Sequence, residues 1–178
     1  MTDGDRSGLS SWHPNVARVL RATRERGLHI ELRRFPEGTR TAADAARAVG
    51  CDVAQIVKSL VFVAGDQPVL VLVSGADRAD PDRLSAILEP TGSWPHPPVR
   101  RATADEAREA TGFAIGGIPP LGHVRPLPIL IDEGLLQHEV VWAAAGLPDT
   151  VFSVAPEDLA HAADARVVAV ATADPSGR

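Results

Sequence analysis

The sequence is short of cysteine, lysine and tyrosine, and these shortages exclude several classes of protein. With one cysteine, Cys51, in 178 residues, no framework of internal disulfides can form, and a reducing cytoplasm suits such a chain. No apolar run approaches the ~20 residues of a membrane-spanning helix. The first residues are polar and lack the pattern of a signal peptide. We therefore expect a cytoplasmic protein with no membrane partner.

The motifs of several common catalytic sites are also absent. The six histidines and Cys51 show none of the spacings that bind zinc, so we expect no metal. No Gly-Lys-Ser/Thr phosphate loop, dinucleotide fingerprint or G-x-S-x-G elbow occurs, so we expect neither a cofactor nor a nucleophilic serine. Cys51 with His123 as its base stays open as a thiol-dependent hydrolase, although no local signature supports it.

Length and composition indicate a single domain. A chain of 178 residues, 44% of them hydrophobic, lies within the ~100–200 residues of a typical domain. We expect a flexible N-terminal segment over residues 1–12, the domain over residues 13–172 and a polar tail over residues 173–178. Helical patterns come early and strand patterns cluster later, which favours one mixed sheet over regular βαβ winding.

Local patterns place the main elements. The β-rich runs at residues 60–64 and 68–74 are separated by a short polar turn and predict a hairpin. Thr103 with Glu106 predicts the capping box of a helix. A final apolar run predicts a single strand over residues 167–172.

Lys58 is the only lysine among the 18 Lys and Arg residues. The excess of Arg and Ala is typical of coding bias, which makes the one lysine that remains informative. The sequence predicts its position between a helical turn and the strand at residues 60–64. Two interpretations stay open: a surface lysine whose stem covers apolar surface, or a cation that binds a phosphate. Since the net charge is −5, any contact with nucleic acid should be local. The short basic pairs Arg33-Arg34 and Arg100-Arg101 are each candidates for contact with a phosphate backbone, and solvated surface is the alternative interpretation.

The second candidate is the loop Gly116-Gly117-Ile118-Pro119-Pro120-Leu121-Gly122. Paired glycines allow positive φ angles and let a ligand approach main-chain N–H groups, and the two prolines stiffen the second half of the loop. Such a loop can present N–H groups to an ester carbonyl. A tight structural connection is the alternative interpretation.

Five stretches together resemble the YbaK/prolyl-tRNA-synthetase-associated editing domain, a family of aminoacyl-tRNA deacylases. They are Gln55-Ile56-Val57-Lys58-Ser59-Leu60-Val61-Phe62, Thr111-Gly112-Phe113, the loop at residues 116–122, Ala143-Ala144-Ala145-Gly146 and Pro156-Glu157-Asp158-Leu159. Their order and spacing agree over nearly the whole chain.

The resemblance implies a mixed α/β (α+β) fold, with a central, partly barrel-like β-sheet flanked by helices. It also implies hydrolysis of the ester that links a wrong amino acid to the 3′ end of a tRNA, often tRNA for proline. The implied partners are the tRNA acceptor end and, as a further candidate, an aminoacyl-tRNA synthetase, with no DNA contact.

The resemblance assigns site residues as well. Lys58 would hold the terminal adenosine–phosphate region, and Gly116 would position the substrate or the attacking water. The expected substrate-binding residues are Ser59, Gly117, Ile118, Pro119, Pro120, Gly122, His123 and Ala144.

One departure from the family concerns residues 143–145, which are all alanine where many members have a serine. A hydroxyl contact to the substrate is then missing or supplied elsewhere, which leaves the accepted amino acid open. A binding module that keeps the fold and grips a tRNA end without catalysis also stays open. Turnover of a mischarged tRNA distinguishes the two functions.

Overall fold

The computed structural model describes residues 12–35, 39, 41–88 and 99–175. Only Trp12 of the expected flexible segment at residues 1–12, and only residues 173–175 of the expected polar tail at residues 173–178, lie within these ranges. Within them, the mixed α/β class is confirmed. The described helices are α1 (Pro14–Glu25), α2 (Ala42–Val49), α3 (Pro81–Leu88), α4 (Ala104–Thr111) and α5 (Pro156–Ala162). The described strands are β1 (Leu32–Arg34), β2 (Val57–Ala64), β3 (Gln67–Ser74), β4 (Asp77–Ala79), β5 (Val99–Arg101), β6 (Ile129–Asp132), β7 (Val141–Leu147), β8 (Thr150–Val154), β9 (Arg166–Val168) and β10 (Ala171–Ala173).

The helix ends follow from their capping residues. In α4, the Thr103 side chain accepts a hydrogen bond from the Glu106 N–H and the Glu106 carboxylate accepts one from the Thr103 N–H, so the predicted capping box is confirmed. Thr41 and Asp44 form the same reciprocal pair at the start of α2. Both helices end at a glycine with left-handed backbone, Gly50 or Gly112, which closes the last turn.

The central five-stranded sheet is mixed, with the order β5-β2-β3-β6-β9. β2 and β3 form the predicted antiparallel hairpin, whereas β3, β6 and β9 run parallel. β3 lies in the middle, and its consecutive residues Val69 to Val73 are all 0% exposed. Leu70 and Leu72 pack into one apolar cluster, and Val69, Val71 and Val73 pack into another on the opposite face. This continuous burial explains why the run is apolar without alternation.

Two smaller sheets flank the central one. The first has the order β1-β8-β7, and the second pairs β10 with β4. An isolated parallel bridge between Ile56 and Trp142 joins the start of β7 to the start of β2. Among the described strands, these three sheets do not close into a barrel.

The single last strand predicted over residues 167–172 is wrong, because the run forms two strands in different sheets. The buried Asp132 carboxylate accepts hydrogen bonds from the N–H groups of Val170 and Ala171, both at 2.8 Å. Those N–H groups are therefore unavailable to a continuous ladder. β9 stays in the central sheet, and β10 pairs with β4. Among the described residues, no helix is long and apolar enough to cross a membrane.

Candidate functional site

A cavity of about 340 Å³ opens beside the outer edge of β2. Its walls come from α2, β2, β5, α4, β7, β8 and the glycine loop at residues 116–122. The lining residues are Thr39, Thr41, Ala42, Ala45, Val49, Ile56, Val57, Lys58, Ser59, Leu60, Val61, Arg101, Ala102, Ala107, Ile115, Gly116, Ile118, Trp142, Ala144, Leu147, Pro148 and Val151. These described lining residues include no carboxylate, imidazole or thiol.

The cavity exists because β2 has a partner along only part of its outer edge. β2 pairs with β3 from Val57 to Ala64 but with β5 only from Phe62 to Ala64. The first residues of β2 therefore present an open strand edge to the cavity. Lys58 and Ser59 lie on this open stretch, so Lys58 belongs to the strand itself and not to the helix–strand junction that the sequence indicates.

Lys58 reaches toward the short sheet of β4 and β10. Its half-buried ammonium group donates a hydrogen bond to the main-chain carbonyl of Asp77. Burial lowers the pKa of Lys58 and the positive charge of Arg101 acts in the same direction, whereas the carboxylates of Asp174 and Asp77 oppose both. The sheet of β4 and β10 thus holds Lys58, the only lysine of the chain, at the cavity wall.

Ser59 places an unusual polar group beside the cavity. Its hydroxyl oxygen is buried and finds no hydrogen-bond partner within the described part of the chain. Along β2, Ser59 shares its face with Val57 and Val61, which pack into the main apolar cluster. A hydroxyl in such surroundings loses hydrogen bonding to water without a protein bond in exchange.

The glycine loop has an accessible tip and a packed base. Gly116 has φ +92°, and a Cβ placed there would have Pro148 Cγ as its nearest neighbour at 3.9 Å. A Cβ on Gly117 would lie 2.9 Å from the Cα of Leu147, so this position has no room for a side chain. The Gly117 N–H donates to the carbonyl of Ala114 at 3.0 Å, whereas none of the backbone hydrogen bonds found among the described residues uses the Gly116 N–H. Of the two paired glycines, Gly116 is thus the one that adopts a positive φ angle, which the sequence allows but does not assign to either.

A bulge in β7 brings its end against this loop. The register of β7 with β8 shifts between Ala144 and Leu147, and Gly146 there has φ +96°. Gly146 can only be glycine without rearrangement, because a Cβ would lie 3.0 Å from the Asn15 carbonyl oxygen. The bend carries Leu147 onto Gly117, which fixes the distance between β7 and the loop.

His123 stabilises the glycine loop from outside the cavity. Its Nε2 donates to the carbonyl oxygen of Pro119 at 2.8 Å, and its ring meets the Phe113 ring edge-on. Burial lowers the pKa of His123, the hydrogen bond to Pro119 opposes that shift, and the charge of Arg18 supports it. The Arg18 guanidinium lies 4.0 Å from the centre of the Phe113 ring and donates to the Gly112 carbonyl. The imidazole therefore packs into the base of the loop.

Alternation along β7 selects which of its side chains face the cavity. Trp142 and Ala144 line it, whereas Ala143 and Ala145 point into the main apolar cluster. The Arg33 guanidinium lies 4.7 Å from the centre of a Trp142 ring. Sequence reasoning missed Trp142, although its two-residue spacing from Ala144 on a strand would have found it.

Arg100 and Arg101 have different surroundings, because the side chains of neighbouring residues on a strand point to opposite faces. Arg100 makes a double hydrogen bond to Glu106, at 2.8 and 2.7 Å. That guanidinium, with the Thr103 N–H, holds the pKa of Glu106 at about 2. Arg101 instead lines the cavity, and burial lowers the pKa of its guanidinium.

The structure brings together five of the ten predicted site residues around the cavity: Lys58, Ser59, Gly116, Ile118 and Ala144. The other five lie outside the lining, in the base of the loop: Gly117, Pro119, Pro120, Gly122 and His123. Their roles toward a substrate stay predictions.

The structure can also be compared with two other chemistries considered from the sequence, a thiol nucleophile and a metal site. Cys51 lies outside the cavity lining, and burial together with the Asp52 carboxylate raises the pKa of its thiol. A raised pKa reduces the thiolate fraction that a nucleophile requires. Among the described residues, no three His, Cys, Asp or Glu side chains lie close enough together to hold a metal ion.

Comparison with known proteins identifies a family and several similar proteins. The sequence model of the aminoacyl-tRNA editing domain matches residues 36–162. A solved structure described as a candidate trans-editing enzyme for prolyl tRNA synthetase is 43% identical, with a TM-score of 0.82 over 90% of this chain and 99% of that one.

Curated proteins give weaker or shorter matches. The uncharacterized protein YwhH of Bacillus subtilis (strain 168) is 25% identical over 74% of this chain and 80% of its own length. The proline–tRNA ligase of Lactobacillus gasseri is 38% identical over 44% of this chain. That match spans only 13% of the length of the ligase.

The environment of His123 predicts its titration. Because burial favours the neutral imidazole, we expect its pKa, measured by proton–nitrogen NMR of the folded protein, to lie below the ordinary value of 6.5. The stability that this neutral group contributes is complete above pH ~6.5 and is lost as the pH falls through the lower folded value. The same residue in urea-unfolded protein is the reference. A folded midpoint at or above that reference would contradict the packing described for the loop.

Proposed function

The chain belongs to the aminoacyl-tRNA editing domain family, and from this premise we propose that it is a trans-editing deacylase. Its substrate in this proposal is a tRNA, of the proline type, that carries the wrong amino acid at its 3′ end. The match to proline–tRNA ligases and the 43% identical structure support the choice of tRNA. Any association with a prolyl-tRNA synthetase belongs to the same proposal.

The observation that carries the proposal is that Lys58 and Gly116 line one cavity. A lysine ammonium group suits a phosphate as a point charge. An accessible glycine N–H suits the oxygen of an ester carbonyl, on which negative charge develops during hydrolysis. A cavity with both at its wall can hold the nucleotide and the ester of one acceptor end.

The groups in the lining limit the chemistry of the step. A water oxygen attacks the ester carbonyl carbon, the bond to the ribose oxygen breaks, and the proton of the water passes to that oxygen. The products are a free amino acid and a tRNA with a free 3′ end. Because the described residues of the lining carry no carboxylate, imidazole or thiol, this proposal assigns the transfer of the proton to the 2′-hydroxyl of the substrate ribose.

The remaining lining supports a site for a small acyl group. Val57, Val61, Ala107, Ile118 and Val151 give the inner wall an apolar surface. Such walls discriminate weakly, because one methylene group changes binding by only about 1–3 kcal/mol. Residues 143–145 are all alanine where many members of the family have a serine, and Ala144 is the one of the three that lines the cavity, so the β7 side offers no hydroxyl at this stretch. The Ser59 hydroxyl, on the β2 side, is the one in the lining that lacks a partner among the described residues.

We expect Lys58→Ala to lose most of the deacylase activity while the protein stays folded. One charge-assisted contact to phosphate contributes about 1.5–3 kcal/mol, which corresponds to a loss of roughly ten- to a hundredfold. Single-turnover deacylation of a mischarged tRNA for proline measures the effect, and circular dichroism checks the fold. Lys58→Met keeps the aliphatic stem and should lose as much.

The control for this experiment is Arg166→Gln, which removes one positive charge from an exposed position on β9. It should retain the wild-type rate. Full activity of a folded Lys58→Ala protein would contradict the assignment of the cavity. A wild-type protein that binds the mischarged tRNA and protects its ester would favour the binding module instead.

Gly116→Ala should reduce the single-turnover rate at least tenfold. The added Cβ strains a residue at φ +92° by about 1–3 kcal/mol and enters the space of the ester. Gly27→Ala is the matched control, since Gly27 has φ +73° and a Cβ added there would have no neighbour within 4 Å. Cys51→Ala and treatment with EDTA should each keep the rate within about twofold, a barrier change below ~0.5 kcal/mol. An active Gly116→Ala enzyme beside an inactive Cys51→Ala or chelated enzyme would overturn the mechanism.

A further inference from the structure

Arg101 lines the cavity, and its guanidinium forms no ion pair with a carboxylate among the described residues. Each of the ion pairs found there joins another arginine to a carboxylate: Arg34 to Asp149, Arg47 to Asp44, Arg83 to Asp80, Arg100 to Glu106 and Arg125 to Glu109. The Arg101 guanidinium contacts the Phe62 ring, 5.2 Å from its centre. An aromatic face orients a guanidinium but leaves its N–H donors free for a ligand.

Strand register places Arg101 on the same face as Lys58. Arg101 lies directly opposite Phe62 in the antiparallel pair of β2 and β5, so their side chains share one face of the sheet. Phe62 and Lys58 are four residues apart on β2, which again places both on one face. The charge of Arg101 lowers the pKa of Lys58, as expected for two cations near each other.

The carboxylates of Asp77 and Asp174 act on Lys58, whereas none of the ion pairs found among the described residues includes Arg101. Arg100, the sequence neighbour, shows how the same side chain behaves where a carboxylate is available, since it forms a double hydrogen bond with Glu106. On the cavity side, none of the described residues in the lining is a carboxylate that could fulfil that role. The arrangement suits an anion supplied by a ligand.

We propose that Arg101, together with Lys58, binds the phosphodiester that joins the last two nucleotides of the substrate tRNA. This inference rests on the proposed function for the identity of the ligand. The planar guanidinium binds the two free oxygens of the linkage, and Lys58 adds the second positive charge. An acidic protein thereby gains a local site for the single-stranded acceptor end without a broad basic surface.

The test compares Arg101→Gln with Arg100→Gln, which removes the same charge one residue away on the opposite face. The ligand is an uncharged RNA minihelix (one that carries no amino acid) with a CCA end, and its affinity is measured across a range of salt concentrations. We expect Arg101→Gln to weaken binding about tenfold or more. The slope of log affinity against log salt should become shallower by ~0.7, the loss of one phosphate contact on a single strand. Arg100→Gln should stay within about twofold of wild type in affinity.

A second minihelix, with a neutral methylphosphonate at the last linkage, separates a phosphate contact from a structural effect. Wild-type protein and Arg101→Gln should bind this RNA equally, because the charge that Arg101 contacts is gone. The assignment would be overturned if Arg101→Gln weakened the binding of both RNAs equally. It would also be overturned if Arg101→Gln, like Arg100→Gln, bound the normal RNA with nearly wild-type affinity. Because binding is measured without turnover, a wild type that hydrolyses no mischarged tRNA would refute the proposed function and leave this test valid.

Discussion

The incomplete pairing of β2 is the constraint on which the site depends. β3 covers one edge of β2 along its whole length, while β5 covers the other edge only from Phe62 onward. The start of β2 is fixed on its inner side, where the Gly75 N–H donates to the Ile56 carbonyl at 2.7 Å. With its backbone held in this way, β2 can leave Lys58 and Ser59 at an open edge without losing its place in the core.

Other parts of the fold place the glycine loop, the end of β7 and the Asp77 carbonyl near that edge. The bulge at Gly146 turns the end of β7 toward the glycine loop, and His123 fastens the loop from the opposite side through Pro119. The buried Asp132 diverts the chain after Val168, so that β10 pairs with β4 and Asp77 meets Lys58. Each of these elements is distant from β2 along the chain. The first two contacts position the glycine loop, and the third supplies the hydrogen-bond partner of Lys58.

The capped helices, the hairpin and the glycine loop could be predicted because each depends on residues that are close together in the sequence. Thr103 and Glu106, for example, are three residues apart and cap the same helix. The split of the last strand could not be predicted, since it depends on Asp132, 38 residues earlier, binding the Val170 N–H. The same holds for Arg101: its separation from Arg100 depends on the β5 register and on Glu106. Lys58 and Gly116 were found from the sequence, whereas their shared cavity required the fold.

The central claim is that this cavity hydrolyses the ester of a mischarged tRNA. The measurement that tests it most directly is a deacylation panel, in which the wild-type protein meets tRNA for proline charged with alanine, cysteine, serine or proline. The account predicts release of at least one noncognate amino acid at a rate well above spontaneous hydrolysis, with Pro-tRNA spared. Stability of all the esters in the presence of folded protein, or equal hydrolysis of the correctly charged tRNA, would contradict it.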